Sequence, residues 1–293
     1  MTKRIFADLS LLFVAFIWGT TFVIVQKAVA VLPPHSFNAL RFALASIALL
    51  IIILLRDKKI PDTGNKGLLK AGAVLGLLLF SGYAFQTVGL LYTSASKAGF
   101  ITGLSVVLVP LFSIIILKQL PKWTTIVGVV FATVGLYLLT MTKGASLQLG
   151  DLLVFFCALF FALQIIYTGK FAPNFDALQL AWVQITVVAA LSLLIAVFSE
   201  GSSLIRLGEL LTSEVVLALI ITAVFATALA FVAQTTFQKY TTPTRVAIIF
   251  AMEPVFAALT SYVLLDELLS SGAMIGGVLI FLGMILAELK TSS

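Results

Sequence analysis

Charged residues are scarce in this sequence. Only 10% of the 293 residues are Asp, Glu, Lys or Arg, whereas 61% are hydrophobic, and the mean hydropathy is +1.18. A chain of this composition has too little polar surface to cover a soluble globule. The formal net charge of +6 does not indicate a nucleic-acid-binding protein, because the cations are spread over short turns between apolar runs. We therefore expect a protein embedded in a lipid bilayer, with no nucleic-acid partner.

Histidine and cysteine are almost absent. The only histidine is His35, at a predicted turn, and the only cysteine is Cys157, inside an apolar run. A single cysteine forms neither an intrachain disulfide nor a cysteine-based metal cluster, and no histidine is left for a buried Ser-His pair. All six aspartates lie at or beyond the ends of apolar runs, which excludes a paired-aspartate protease site. We expect no catalytic residue, no metal and no cofactor, and an intramembrane enzyme is the less favoured alternative.

Long apolar runs, by contrast, account for most of the chain. A membrane-spanning helix needs about 20 apolar residues. The sequence contains ten such runs, at about 6–29, 35–55, 68–91, 95–117, 123–141, 151–168, 177–198, 213–236, 243–265 and 271–289. We predict an all-α polytopic membrane protein with ten transmembrane helices and only short loops.

The chain is internally duplicated. Residues 241–289 align without a gap on residues 93–141 at an offset of 148, so that Gly276 matches Gly128, and the earlier helices align at an offset of 143, so that Asp8 matches Asp151. The repeats therefore span residues 1–145 and 146–293, with five helices each. Because five is an odd number, the second repeat enters the membrane from the opposite face. An inverted repeat of this kind is typical of alternating-access transporters.

Basic residues predict the orientation of the chain in the membrane. The segment 56–70 contains five Lys or Arg residues together with Pro61 and Gly64, which indicates a basic loop. By the positive-inside rule this loop is cytoplasmic. Ten spans then leave both termini on the cytoplasmic side.

Glu253 is the only acidic residue near the middle of a span, and Pro254 follows it directly. An ionised carboxylate at the bilayer centre costs about 2.5–3.5 kcal/mol on the insertion scale, so we expect Glu253 to be protonated for part of a transport cycle. Pro254 cannot donate to the carbonyl of Phe250, which predicts a kink in the helix. Three roles remain open for Glu253: a hydrogen bond to a neighbouring helix, proton coupling, or pairing with a substrate amine.

Several other helices carry polar and aromatic side chains at helical spacing. Examples are Tyr83 with Gln86, and Gln164 with Tyr167, which lie three residues apart and share a face. Such faces should point toward a common cavity, although simple interhelical hydrogen bonds, worth about 0.6 kcal/mol each, are an equal alternative. The predicted substrate-binding residues are Trp18, Tyr83, Gln86, Thr102, Gln164, Tyr167, Thr227, Phe231, Gln234 and Glu253. Their aromatic and amide groups suit a small amphipathic solute.

Three cations lie near helix ends. Lys97 and Arg245 correspond through the offset of 148, and each lies in the first turn of a helix, where the macrodipole disfavours a positive charge. We consider two interpretations of this pair, gating of the two mouths of a pathway and snorkelling to the membrane interface. Arg41 lies about two turns inside its helix, and there we favour an anchor at the outer interface over a ligand for a carboxylate.

Motifs in three helices resemble a known family. The ninth and tenth helices read Glu253-Pro254-Val255-Phe256, Leu265-Asp266-Glu267-Leu268 and Gly276, and the first contains Trp18-Gly19. With ten spans arranged as two fives, the chain resembles the drug/metabolite transporter superfamily, specifically its EamA-type members.

The resemblance implies a carrier of the plasma membrane, usually an exporter of amino acids or related metabolites, with a central cavity. We expect a monomer or weak dimer whose partners are a small-molecule substrate, the bilayer and, through Glu253, protons. A channel-like facilitator is the main alternative. Saturable transport with counterflow would indicate a carrier, and non-saturating conductance a channel.

Overall fold

The computed structural model describes residues 2–57, 65–118, 120–140, 148–201, 212–265 and 270–288. Within these ranges all regular secondary structure is helical. Three sequence features fall outside them in whole or in part: the basic loop around Pro61, the acidic turn at Asp266 and Glu267, and the junction between the repeats at residue 145.

The helices coincide with the ten apolar runs, which confirms the predicted all-α fold. Eight are long and apolar enough to cross a membrane, and two apolar helices are shorter. In chain order they are α1 Thr2–Val31, α2 Pro34–Asp57, α3 Lys66–Gly89, α4a Ala95–Gly103, α4b Ser105–Ile116, α5 Trp123–Thr140, α6 Leu149–Phe171, α7 Ala177–Ser199, α8 Ser213–Gln238, α9a Pro243–Phe250, α9b Glu253–Leu265 and α10 Ser271–Glu288.

The fourth and ninth helices are both broken, at positions related by the repeat. In α9 the amide of Met252 bonds back to the carbonyl of Ile249 at 3.1 Å, and in α4 the amide of Leu104 bonds to Ile101 at 3.1 Å. These tightened turns separate α9a from α9b and α4a from α4b. The kink predicted beside Pro254 is confirmed, whereas no proline marks the break at Leu104.

The eighth helix contains an irregular turn. Residues Val224–Leu229 form a π-helical segment, in which the hydroxyl of Thr227 donates to the carbonyl of Thr222 at 2.8 Å. A π segment adds a residue to the turn and leaves carbonyl groups available to other donors. The side chains that follow the segment are therefore rotated about the helix axis from the directions they would have in a regular α-helix.

Helices α5 and α10 pack together through glycine, because small residues let two helix backbones approach closely. A Cβ atom at Gly128 would lie 2.6 Å from the carbonyl oxygen of Gly283, and one at Gly135 would lie 2.5 Å from that of Gly276. Gly128 and Gly135 are the repeat counterparts of Gly276 and Gly283. The two backbones approach so closely that larger side chains would force the helices apart.

Candidate functional site

A cavity lies between the two repeats, and its walls come from α1, α2, α3, α4, α6, α8 and α9. Eight of the ten predicted binding residues line it: Trp18, Tyr83, Gln86, Thr102, Gln164, Phe231, Gln234 and Glu253. The remaining lining residues are Thr21, Phe22, Val25, Arg41, Leu79, Leu90, Gly103, Ser105, Phe161, Ile165 and Phe250.

Most lining residues occur in pairs related by the repeat. The pairs are Trp18 with Phe161, Thr21 with Gln164, Phe22 with Ile165, Tyr83 with Phe231, Gln86 with Gln234, Thr102 with Phe250 and Ser105 with Glu253. Both members of every pair line the cavity. It therefore lies where the two inverted repeats face each other. The spacing argument missed Phe161. The repeat register alone would have identified it, as the partner of Trp18.

Aromatic rings form one wall of this cavity. The ring of Trp18 lies 5.4 Å from that of Phe231 and 4.9 Å from that of Phe250, and the ring of Tyr83 lies 5.1 Å from that of Phe161. These centroid distances are typical of stabilising edge-to-face and tilted pairs. The wall is therefore an apolar surface of packed rings.

Amide side chains form a second wall. Gln234 donates through Nε2 to Oε1 of Gln164 at 3.1 Å and to Oε1 of Gln238 at 3.2 Å. The Oε1 atom of Gln234 is buried and accepts no hydrogen bond from the described part of the chain. A buried acceptor without a donor is unfavourable, so this oxygen atom of Gln234 can still accept a hydrogen bond.

Glu253 occupies the first residue of α9b, next to the break in the helix. Its side chain lines the cavity, and the structure shows no hydrogen bond from the carboxyl group to any described residue. The hydrogen bond to a neighbouring helix, one of the three roles considered above, is therefore not observed. The amino-terminal end of a helix favours a negative charge, and the break in α9 thus gives the carboxylate a stabilising position at the cavity.

Arg41 lies in the cavity wall, which corrects its interpretation as an anchor at the outer interface. The residue is only 3% exposed. Its Nε donates to the hydroxyl of Thr227 at 2.8 Å, and its Nη2 lies 3.4 Å from both the hydroxyl of Tyr83 and the carbonyl of Ala226. The π segment of α8 provides the Ala226 carbonyl, to which Trp18 also donates at 2.8 Å. This irregular turn holds the guanidinium inside the bundle.

Two predicted binding residues lie outside the cavity lining. Tyr167 is one turn beyond Gln164, where its ring lies 5.8 Å from that of Phe171 and 5.9 Å from the Nζ atom of Lys170. Nearby, the Nε2 of Gln238 donates to the carbonyl of Ile165. Thr227 belongs to the π segment, which rotates its hydroxyl toward Arg41.

The predicted gate residues form two ion pairs that are related by the repeat. The Nζ of Lys97 lies 3.0 Å from Asp151, and the Nη2 of Arg245 lies 3.7 Å from Asp8. The first pair joins α4a to α6, and the second joins α9a to α1. The side chain of Arg245 is 5% exposed and that of Lys97 is 24% exposed. Both cations therefore contact carboxylates between helices, and neither extends freely toward an interface.

A packed apolar cluster lies beside the cavity. Leu11 and Val14 of α1, Val109 of α4b and Val246 of α9a belong to this cluster and are 0–1% exposed. The cavity-lining residue Phe250 belongs to the same cluster. The cluster therefore forms part of the cavity wall.

Comparison with known proteins agrees with this architecture. The sequence pattern of the EamA-like transporter family matches the chain twice, over residues 5–141 and 148–289. An uncharacterized transporter of Archaeoglobus fulgidus is 37% identical over 288 residues, which are 98% of this chain and 87% of that protein. The uncharacterized transporter YvbV of Bacillus subtilis is 24% identical over 97% of this chain and 92% of its own length.

A solved crystal structure shares the fold, with a TM-score of 0.80 at 19% identity, and the match covers 97% of this chain and 98% of that one. The two family matches correspond to the two repeats and together span nearly the whole sequence. The chain is a multi-pass membrane protein that belongs to the EamA-like transporter family.

Proposed function

We propose that this protein is a secondary transporter that moves a small amphipathic metabolite, such as an amino acid, by alternating access through the central cavity. The observation that carries the proposal is the set of repeat-related residue pairs around the cavity. A site built from residues of both inverted repeats can be exposed to either face by exchange of their conformations. The resemblance to EamA-type carriers favours export from the cell across the plasma membrane.

The size and lining of the cavity support a small solute. The cavity has a volume of about 60 Å³. About 10–15 Å³ is enough to hold one water molecule. A metabolite of a few heavy atoms fits that space, whereas a large drug would require the helices to move apart. Aromatic rings on one side and the amides of Gln86 and Gln234 on another suit a solute with one apolar and one polar end.

The ion pairs support a gating role for Lys97 and Arg245. Each ion pair connects the first turn of the fourth helix of one repeat to the first helix of the opposite repeat. Because the repeats are inverted, one pair lies near each face of the membrane. Opening a mouth of the pathway would separate one of these contacts. Exchanging the charges in one pair, as in the double variant Lys97→Asp with Asp151→Lys, should restore transport that the single variants lose. A double variant as inactive as the single ones would contradict the gate.

The orientation of the protein belongs to the same proposal. The basic loop between α2 and α3 and the positive-inside rule support cytoplasmic positions for both termini. Reporter fusions after Thr2, in the loop between α1 and α2, and at residue 293 test this. Cytoplasmic reporters at both ends and an external one in the loop are expected.

Identification of the cargo comes first in the functional test. A strain that overproduces the protein is screened for resistance to toxic amino acids and their analogues, because an exporter lowers their internal concentration. The solute found in this screen is then followed in proteoliposomes. Saturable uptake that is accelerated by unlabelled solute inside supports a carrier, and non-saturating conductance would support a channel.

A further inference from the structure

We propose that Arg41 binds an anionic group of the cargo, a carboxylate or a group of the same charge and shape. The proposal rests on the proposed function, because it assigns a ligand class to the same cavity. It implies a cargo whose anionic end contacts α2 and whose apolar part contacts the aromatic wall of Trp18 and Phe161.

The first observation is the set of contacts that the guanidinium makes. Its partners are all uncharged: the hydroxyls of Thr227 and Tyr83, the carbonyl of Ala226, and the ring faces of Tyr83 and Phe42 at 4.8 and 5.2 Å. No carboxylate lies within ion-pairing distance among the residues that the structure describes. Nη1 donates no hydrogen bond to them either.

A buried cation with only neutral partners is an unusual arrangement. Buried charges are normally paired, because neutral hydrogen bonds compensate only part of the lost hydration. Lys97 and Arg245, by contrast, each contact a carboxylate of the protein. Among the described residues, Arg41 is a buried cation without a carboxylate partner, and it lines the cavity. A guanidinium also matches the two oxygens of a carboxylate.

The second observation is the break in symmetry. The aromatic and amide residues of the cavity mostly face repeat counterparts of similar character, but Arg41 corresponds to the neutral Gln184 and Glu253 to the neutral Ser105. The pseudo-symmetric cavity thus carries one basic and one acidic group on different helices. Together with the vacant acceptor on Gln234, this arrangement suits a solute that has an anionic group and a hydrogen-bond donor.

A purely structural role is the rival explanation. Arg41 and Trp18 both donate to the carbonyl of Ala226, so the guanidinium also holds α2 against the π segment of α8. A structural role needs the hydrogen bonds but not the positive charge in the cavity. Binding of an anionic group requires that the charge of Arg41 raise the electrostatic potential where the solute lies, whereas a structural role does not require this.

The test measures that potential with two thiol reagents of similar size and opposite charge. A thiol is introduced by Thr21→Cys in the full-length protein with Cys157→Ser, reconstituted in nanodiscs. Its labelling rates are measured with a sulfonate-bearing and with a trimethylammonium-bearing methanethiosulfonate. We expect the ratio of the anionic to the cationic rate to fall about tenfold or more in Arg41→Gln and to be retained in Arg41→Lys.

An unchanged ratio in Arg41→Gln overturns the proposal and leaves Arg41 with its structural role. If neither reagent labels position 21, the cavity is closed to water, and the proposed function fails along with the inference. If Arg41→Gln does not fold, the second arm, which leaves Arg41 unchanged, decides between the two explanations.

A second arm needs no substitution of Arg41. Propionate and propionamide have the same shape and differ in charge, and each is added at the same concentration during labelling of position 21 by the uncharged methyl methanethiosulfonate. The inference predicts that propionate slows labelling several times more than propionamide. Equal protection by the two, or none from either, contradicts it.

Discussion

Gly19 of α1 and Gly99 of α4a both face the turn of α9 that carries Glu253 and Pro254, and we predict different effects when each is replaced by alanine. A Cβ atom at Gly19 would overlap the carbonyl oxygen of Glu253 and lie 2.8 Å from the Cβ of Phe256. At Gly99 the nearest atom would be the Cβ of Pro254, at 3.6 Å, which is an ordinary van der Waals distance.

The size of the effect follows from what the new methyl group meets. The obstacle at Gly19 includes backbone atoms of α9 that cannot rotate away, so α1 and α9 must separate. Overpacking of this kind costs about 1–3 kcal/mol. Alanine also stabilises a helix relative to glycine by about 0.5–1 kcal/mol. That gain applies to both variants, and the difference between them therefore isolates the clash.

We expect Gly19→Ala to unfold about 1–3 kcal/mol more easily than Gly99→Ala, and Gly99→Ala to be at least as stable as the wild type. The free energy of unfolding is measured by titrating purified protein in detergent with SDS and following tryptophan fluorescence. Gly19→Ala should also lose transport, because the shift of α1 moves Trp18 away from its cavity position. Equal unfolding midpoints for the two alanine variants would refute this account of the contact between α1 and α9.

Three further predictions concern charge and hydrogen bonding. In the same SDS titration, Asp8→Asn should lower the free energy of unfolding by about 3–5 kcal/mol, because it removes a carboxylate from its buried ion pair with Arg245. Asp151→Asn should lower the free energy of unfolding less, since its partner Lys97 is more exposed to water. A larger loss for Asp151→Asn than for Asp8→Asn would contradict the burial argument. Replacing both Gln86 and Gln234 by Leu should raise the KM for counterflow about 2–10-fold per amide lost, and an unchanged KM would exclude these amides from the binding site. If the carboxyl group of Glu253 carries the coupled proton, Glu253→Gln should retain exchange but lose its response to a pH gradient. If the carboxylate pairs with a substrate amine, Glu253→Gln should bind the solute more weakly at every pH. A variant that matches the wild type in affinity and in pH response excludes both roles.

Much of the fold could be predicted because the bilayer restricts the choices. Spanning segments must be helices, and apolar runs of fixed length reveal them. The gapless offset of 148 revealed the repeat. The cavity lining was largely predictable for the same reason, since polar side chains in lipid must face inward.

The errors arose where the backbone departs from a regular helix. The prediction from residue spacing assumed 3.6 residues per turn. The π segment of α8 departs from this value and turns Thr227 away from the helix face that the spacing predicts. Arg41 was assigned to the interface from its distance to the helix end, but the carbonyl of Ala226 that helps to hold it is available only because of that segment. No proline marks the break in α4 at Leu104, but Gly103 directly precedes it. Gly103 and the repeat counterpart, the proline-marked break in α9, would together have indicated it.

The central claim is that the cavity between the two repeats is a transport site used by alternating access. The most direct test is counterflow in proteoliposomes, with the solute found in the growth screen. Wild-type protein should accumulate labelled solute transiently against an excess of unlabelled solute inside, with saturation, and the variant with both Gln86 and Gln234 replaced by Leu should do so only at higher solute concentration. Uptake that neither saturates nor responds to solute on the opposite side would contradict alternating access.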